Sequence, residues 1–167
     1  LKRMNHSPEG FVFRGSPGFL HNNVPAYDTP AARDLIRRAM NSPEEDPLYV
    51  VAIGAITNVA SAILLEPEII KHIVVVWLGG HPLHWPHTKE FNLGQDVPAA
   101  QVIYNSGVPL VQIPCIGVAS HLLTTVPELQ THVKGKGAIG YYLFEIFCAH
   151  HDDHFAWAKE IWDISAI

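Results

Sequence analysis

Imidazole side chains are concentrated in the stretch "GGHPLHWPHTKEFN", which contains His81, His84 and His87. An imidazole titrates close to neutral pH and can therefore protonate a leaving group as a general acid. Each of the three is a candidate for that role. For each histidine taken singly, the alternative is a surface position without a chemical role.

A second group of histidines lies in "CAHHDDHF". If this segment is helical, His150 and His154 lie one turn apart with Asp153 between them, and a divalent metal ion could bind on that face. The sequence offers no evident third ligand. A solvated polar face is the simpler interpretation.

The two cysteines, Cys115 and Cys148, lie in different segments and match neither a disulfide framework nor a zinc spacing. A reactive thiol needs an electropositive setting that the sequence does not reveal. Buried, apolar cysteines in a reduced, cytoplasmic protein are therefore expected.

The composition limits the classes of partner. The chain has 167 residues, 48% of them hydrophobic, and a formal net charge of −5 without a basic run. Nucleic acid is not an expected partner, because a nucleic-acid groove interleaves aromatic residues with Lys or Arg. No apolar run approaches the roughly 20 residues of a membrane span and no signal peptide is evident, so a membrane is not expected either.

Strands and helices are predicted to alternate along the chain. Apolar, β-branched segments predict strands in "LYVVAIG", "HIVVVWLGG" and "VPLVQIPC". Helices are predicted in "DTPAARDLIRRAM" with Asp28 as N-cap, in "VASAILLEPEII" after Thr57 and Asn58, in "VPAAQVIYNSG" capped by Asp96, in "TVPELQTHV", and over 139–163.

This alternation predicts one α/β domain over 1–167, in which 1–27 is irregular and 28–167 forms βα units around an open, mostly parallel sheet flanked by helices. In such sheets ligands bind beyond the carboxyl ends of the strands. The segments expected to carry the chemistry are therefore 53–58, 79–92 and 116–125.

Four segments in this order, "GAITNVASAILLEPEI", "VVVWLGG", "EFNLGQDVPAA" and "SGVPLVQIP", resemble the inosine-uridine preferring nucleoside hydrolases over roughly 28–167. The resemblance implies part of their Rossmann-like fold, one calcium ion, and cleavage of a ribonucleoside N-glycosidic bond by water that the ion activates. The family carries most of its calcium carboxylates and its general base in an Asp-rich motif near the N-terminus. No such motif precedes residue 28, so we expect a fragment that is inactive alone and binds calcium only if the motif is supplied.

The resemblance also assigns residues. Glu90 and Asn92 match a Glu-Phe-Asn motif that hydrogen-bonds ribose, the alternative being a solvated loop acid and a turn Asn. Asp163 matches a calcium ligand, the alternative being a helix N-cap, and its apolar neighbours predict partial burial. The backbone carbonyl of Ile53 matches another calcium ligand, with its side chain expected in the core.

Trp162 stands where many relatives place the histidine that protonates the departing base. Indole cannot do this, although it can stack on the base and so bind substrate, or it can simply fill the core. The resemblance makes His84, His150 and His154 the candidate general acids.

The expected partner is a small-molecule nucleoside, and the full-length protein is expected to form a homo-oligomer. Two alternatives stay open: a protein that binds a nucleoside or ribosyl ligand without turnover, and a hydrolase of a different ribosyl substrate.

Overall fold

A three-stranded parallel sheet lies at the centre of the computed structural model, which describes residues 1–20 and 25–167. Its strands are β1 (Leu48–Ala52), β2 (Ile73–Leu78) and β3 (Leu110–Ile113), in that spatial order. Val50 pairs with Val75, and Val76 pairs with Val111. The central strand β2 is the most apolar of the three, as expected for a strand covered on both faces.

Helices connect and cover these strands, which confirms the predicted α/β class. The α-helices are α1 (Pro30–Met40), α2 (Thr57–Leu65), α3 (Phe91–Gln95), α4 (Val97–Ser106), α5 (Val126–His132) and α6 (Gly137–Cys148). A short antiparallel pair, β4 (Leu123–Thr124) and β5 (Lys159–Glu160), precedes a 3-10 helix at Trp162–Ala166. None of these helices is long and apolar enough to cross a membrane.

The described part of the predicted irregular segment 1–27 contains one helical turn, a 3-10 helix at Lys2–Met4. Residues 21–24 of that segment lie outside the described residues. Leu20, the last described residue before this gap, belongs to the hydrophobic core.

The predicted N-cap of the first helix is wrong by one residue. Thr29 has extended backbone angles, and its hydroxyl accepts a hydrogen bond from the amide of Ala32 at 3.2 Å. Asp28 instead pairs with Arg33 at 2.6 Å. Both residue types can cap a helix, and Thr29 is the one placed directly before Pro30, which is favoured in the first turn.

The predicted helical region over 139–163 is confirmed up to Cys148, where α6 ends, and is wrong beyond it. Beyond it, side chains bond to nearby backbone amides: His151 Nδ1 accepts from the amide of Asp153, and Asp153 Oδ1 accepts from that of Phe155. Such local bonds compete with helical ones. His150 and His154 therefore do not share a helix face, and the metal face inferred from their spacing does not form.

Trp77 fixes the carboxyl end of β2. Its side chain is fully buried, and its indole Nε1 donates to the carbonyl of Gly54 at 2.9 Å, which ties β2 to the turn after β1. A Cβ atom at Gly79 would lie 2.4 Å from the Trp77 ring. Only glycine fits there, so the packing of one core aromatic determines the residue type at the start of the next loop.

We expect Gly79→Ala to lower the free energy of unfolding by about 1–3 kcal/mol, because the new methyl group must displace the buried Trp77 ring. Gly94→Ala is the matched control, since a Cβ atom there meets nothing within 4 Å and α3 gains helix propensity. Urea unfolding followed by circular dichroism measures both variants. Equal stability of the two variants would contradict this account of Gly79.

Candidate active site at the carboxyl ends of the strands

Glu90 organises the loop that follows β2. Its Oε2 atom accepts hydrogen bonds from the amides of Gly80 at 2.7 Å and Leu93 at 2.9 Å, and Oε1 accepts from the amide of Asn92 at 3.0 Å. The carboxylate therefore caps α3 and closes the loop onto the glycine pair. Glu90 is buried, and the alternative of a solvated loop acid is wrong.

Asn92 lies beside it at the end of β2. Its Nδ2 atom donates to the carbonyl of Leu78 at 2.9 Å, and the residue is buried. No hydrogen bond to the described part of the chain uses the Oδ1 atom of Asn92. The structure thus brings Glu90 and Asn92 together at the expected edge of the sheet, with one amide oxygen left as an acceptor.

Asp96 is the structural centre of this edge, which the sequence predicted only as a helix cap. Its Oδ1 atom accepts from the amide of Ala99 at 3.0 Å, which confirms the cap. Its Oδ2 atom accepts from the amide of Leu20 at 2.9 Å and from the hydroxyl of Thr57. Asp96 is 1% exposed, and no local sequence signal marks a cap that also binds two distant segments.

The turn after β1 is also hydrogen-bonded to the N-terminal segment. Asn58 Oδ1 accepts hydrogen bonds from the amide of Ser16 at 2.8 Å and from its hydroxyl at 3.0 Å. The predicted start of a helix at Thr57 and Asn58 is confirmed. The side chain of Ile53, expected in the core, is 48% exposed, because Ile53 follows the edge strand β1.

Trp162 and Asp163 lie in the 3-10 helix at the C-terminal end. Trp162 is partly buried and packs against the apolar cluster of Leu78, Ala119 and Ala166. Asp163 is exposed, so the predicted partial burial of its carboxylate is wrong. Its neighbour Ile164 is 54% exposed and provides no apolar cover.

The histidines of the two stretches singled out in the sequence form two separate groups in the structure. In the first, the His81 ring lies 5.7 Å from the Trp85 ring and 5.4 Å from the His87 ring, and His84 is exposed in the same loop. In the second, the rings of His150, His151 and His154 lie 5.5–6.3 Å from the ring of Trp157. Only the first group belongs to the loop that contains Glu90.

The described residues do not form a calcium site by themselves. No group of three or more His, Cys, Asp or Glu side chains in the described ranges is arranged to hold a metal ion. The two predicted ligands, the Ile53 carbonyl and Asp163, fall well short of the 6–8 oxygen atoms that calcium takes.

Burial raises the pKa of the Cys115 thiol, and the negative charges of Glu90 and Glu160 act in the same direction. The thiol therefore stays protonated at neutral pH, and the thiolate is the nucleophilic form. Cys115 and Cys148 are both only partly buried, so their predicted burial is incomplete, but the protonated thiol is not the form expected of a nucleophile at Cys115.

Comparison with known proteins identifies relatives of the chain. Residues 2–165 match the family described as inosine-uridine preferring nucleoside hydrolase. The chain is 29% identical over 129 residues to the probable uridine nucleosidase 2 of Arabidopsis thaliana, an alignment that covers 72% of this chain and 38% of the relative. The chain thus spans about two fifths of that relative's length.

Two solved structures show the same fold. The inosine-uridine preferring nucleoside hydrolase of Bacillus anthracis superposes with a TM-score of 0.62 at 19% identity, over 84% of this chain and 47% of that one. The type III effector protein XopQ, solved in complex with adenosine diphosphate ribose, has a TM-score of 0.62 at 18% identity, over 73% of this chain and 37% of that one.

We expect Asp96→Asn to destabilise the protein by about 1–3 kcal/mol, because the amide turns one oxygen into a donor that faces buried N–H and O–H groups. Asp152→Asn, an exposed aspartate, is the matched control and should unfold as the wild type does. Urea titration measures both variants. Wild-type stability of Asp96→Asn would show that the network is not needed.

Alkylation of Cys115 by iodoacetamide should be slow at pH 7 and accelerate only in alkaline solution, since the raised pKa keeps the thiol protonated. A Cys148→Ser variant leaves Cys115 as the one thiol of the chain, and mass spectrometry follows its modification. The same variant unfolded in urea supplies the rate of an ordinary thiol. Equal rates at pH 7 in the folded and unfolded states would contradict the effect of burial.

Proposed function

The chain belongs to the inosine-uridine preferring nucleoside hydrolase family, and from this premise we propose that the whole protein hydrolyses the N-glycosidic bond of ribonucleosides. The match over residues 2–165 is the observation that carries the proposal. The reaction releases a free base and ribose, and a nucleoside is the proposed small-molecule substrate. Because this chain spans less than half the length of the Arabidopsis thaliana and Bacillus anthracis relatives, turnover is proposed for the whole protein and not for the chain alone.

Glu90 and Asn92 are the proposed contacts to the ribose hydroxyl groups. A carboxylate offers about four lone-pair positions, and three backbone amides use three of them in Glu90. One position is left, and the Oδ1 atom of Asn92 supplies a second acceptor. Two acceptors held by the backbone at the end of β2 suit a pair of neighbouring hydroxyl groups.

His84 is the proposed general acid. It is exposed in the loop that joins Gly80 to Glu90, and the same backbone that positions Glu90 therefore carries it. His150 and His154 are held in the aromatic group around Trp157, outside that loop. A protonated imidazole can deliver a proton to the departing base, which the indole of Trp162 cannot do.

Calcium remains a prediction for the whole protein. Its ligand set requires carboxylates beyond Asp163, and no such group exists among the described residues. The roles proposed for Glu90, Asn92 and His84 do not depend on the ion. The homo-oligomeric state and the cytoplasmic location likewise remain predictions from the sequence.

Binding of a ribosyl ligand without turnover is the second candidate function. Trp162 stands in place of a catalytic histidine and is packed into an apolar cluster. XopQ, which has the same fold, was solved with adenosine diphosphate ribose bound. A scaffold that keeps the ribose contacts but lacks a proton donor would bind such a ligand and leave it intact.

The two functions are separated by incubating the protein, expressed from its entire reading frame, with inosine and uridine and measuring free base by chromatography. We expect base release, and a loss of about 10²–10⁴-fold in kcat for His84→Ala, the size of a general-acid contribution. His132→Ala, another exposed histidine, is the control that should retain activity. Tight nucleoside binding without base release would favour the binding protein, and full activity of His84→Ala would assign the proton to another residue.

A further inference from the structure

A second cavity lies beside the histidine loop, separate from the ribose-facing side chains of Glu90 and Asn92. It has a volume of about 290 Å³ and is enclosed by the loop, α3, α4 and β3. The residues that line it include His81, Trp85, His87, Leu93, Tyr104 and Gln112. This volume is just below the roughly 300–1,000 Å³ found for ligand pockets, so only a small molecule fits it.

Aromatic rings form much of the cavity wall. The Trp85 ring lies 5.7 Å from the His81 ring, and the His81 ring lies 5.4 Å from the His87 ring, in tilted and edge-on arrangements. Tyr104 contributes a further ring from α4. The flat faces of such rings favour a flat ligand that stacks against them.

Two residues of the cavity wall, His81 and Gln112, carry hydrogen-bond acceptors at fixed positions. His81 Nε2 lies 3.1 Å from the carbonyl of Lys89 and therefore carries the ring proton, which makes Nδ1 of the neutral ring an acceptor. Nδ1 is buried and has no partner among the described residues. Gln112 Nε2 donates to the carbonyls of Gly79 and His81 at 3.0 and 3.2 Å, which holds the side chain still and leaves its Oε1 atom as a second acceptor.

The charge of the cavity excludes anionic ligands. None of the residues that line it is Lys, Arg, Asp or Glu. A phosphate group would meet no cationic partner there while the imidazoles of His81 and His87 are neutral, since phosphate sites rely on Arg, Lys or convergent backbone amides. The occupant is therefore expected to be neutral, flat and equipped with N–H donors.

We propose that this cavity binds a free nucleobase, which stacks on Trp85 and donates a ring N–H to Nδ1 of His81. The site goes beyond the proposed hydrolysis, because it needs neither the ribose contacts nor the general acid. A base bound here would lie behind the loop that carries Glu90, next to Leu93, one of the residues whose amides bind that carboxylate.

The test is calorimetry of the 167-residue chain with uracil and with hypoxanthine. We expect saturable binding of one molecule per chain for at least one of the two bases. Trp85→Ala should weaken it about fivefold to 100-fold, the range found when a base loses its stacking partner. His81→Leu should weaken it as well, while His132→Leu, which removes an exposed imidazole elsewhere, should bind as the wild type does.

Circular dichroism establishes that each variant is folded. Trp85 lies in a loop and is 38% exposed, so Trp85→Ala keeps the test decisive even if His81→Leu disturbs the structure. Wild-type affinity in folded Trp85→Ala, absence of saturable binding of both bases, or competition by inorganic phosphate would each overturn the proposal. Because ribose and turnover play no part in the measurement, these outcomes leave the proposed hydrolysis untouched.

Discussion

One buried carboxylate holds the candidate site together. Asp96 binds the first turn of α4, the hydroxyl of Thr57 after β1, and the amide of Leu20 in the N-terminal segment. Removing a carboxylate from water is costly unless hydrogen bonds compensate it, and here three donors do so. Since these donors come from segments far apart in sequence, the charge is satisfied only when all three segments are in place. The edge of the sheet therefore forms as a unit.

The end of β2 imposes the second constraint. The buried ring of Trp77 binds the turn after β1 through Gly54 and leaves room only for glycine at position 79. The next residue, Gly80, has a positive φ of 74° and directs its amide to Glu90. Core packing thus sets the path of the backbone, and the backbone sets the position of the acid. A carboxylate bound by three amides is rigid, which favours preorganised contact with a ligand over adjustment during binding.

Local signals in the sequence were sufficient for the three strands of the parallel sheet, the cap by Asp96 and the start of α2, because each depends on residues a few positions apart. The sequence could not reveal that Asp96 also binds Leu20 and Thr57, since those partners are 76 and 39 positions away. The errors have a similar origin. Hydrophobicity over 139–163 favoured a helix, but local bonds of His151 and Asp153 end it. The burial of Asp163 was inferred from Ile161 and Ile164, of which Ile161 is only partly buried and Ile164 is exposed.

The proton donor, and not the sugar contacts, decides between hydrolysis and simple binding. As the proposed ribose contacts, Glu90 and Asn92 would serve either function, because their acceptors are fixed by backbone bonds that do not involve a leaving group. Trp162 can shape a pocket, but it has no proton to transfer at neutral pH. The proposed hydrolysis therefore places the proton donor in a segment other than that of Trp162. Among the candidate histidines, the exposed His84 lies in the loop that Glu90 closes by its bond to Gly80. Its position therefore depends directly on Glu90, one of the two proposed ribose contacts.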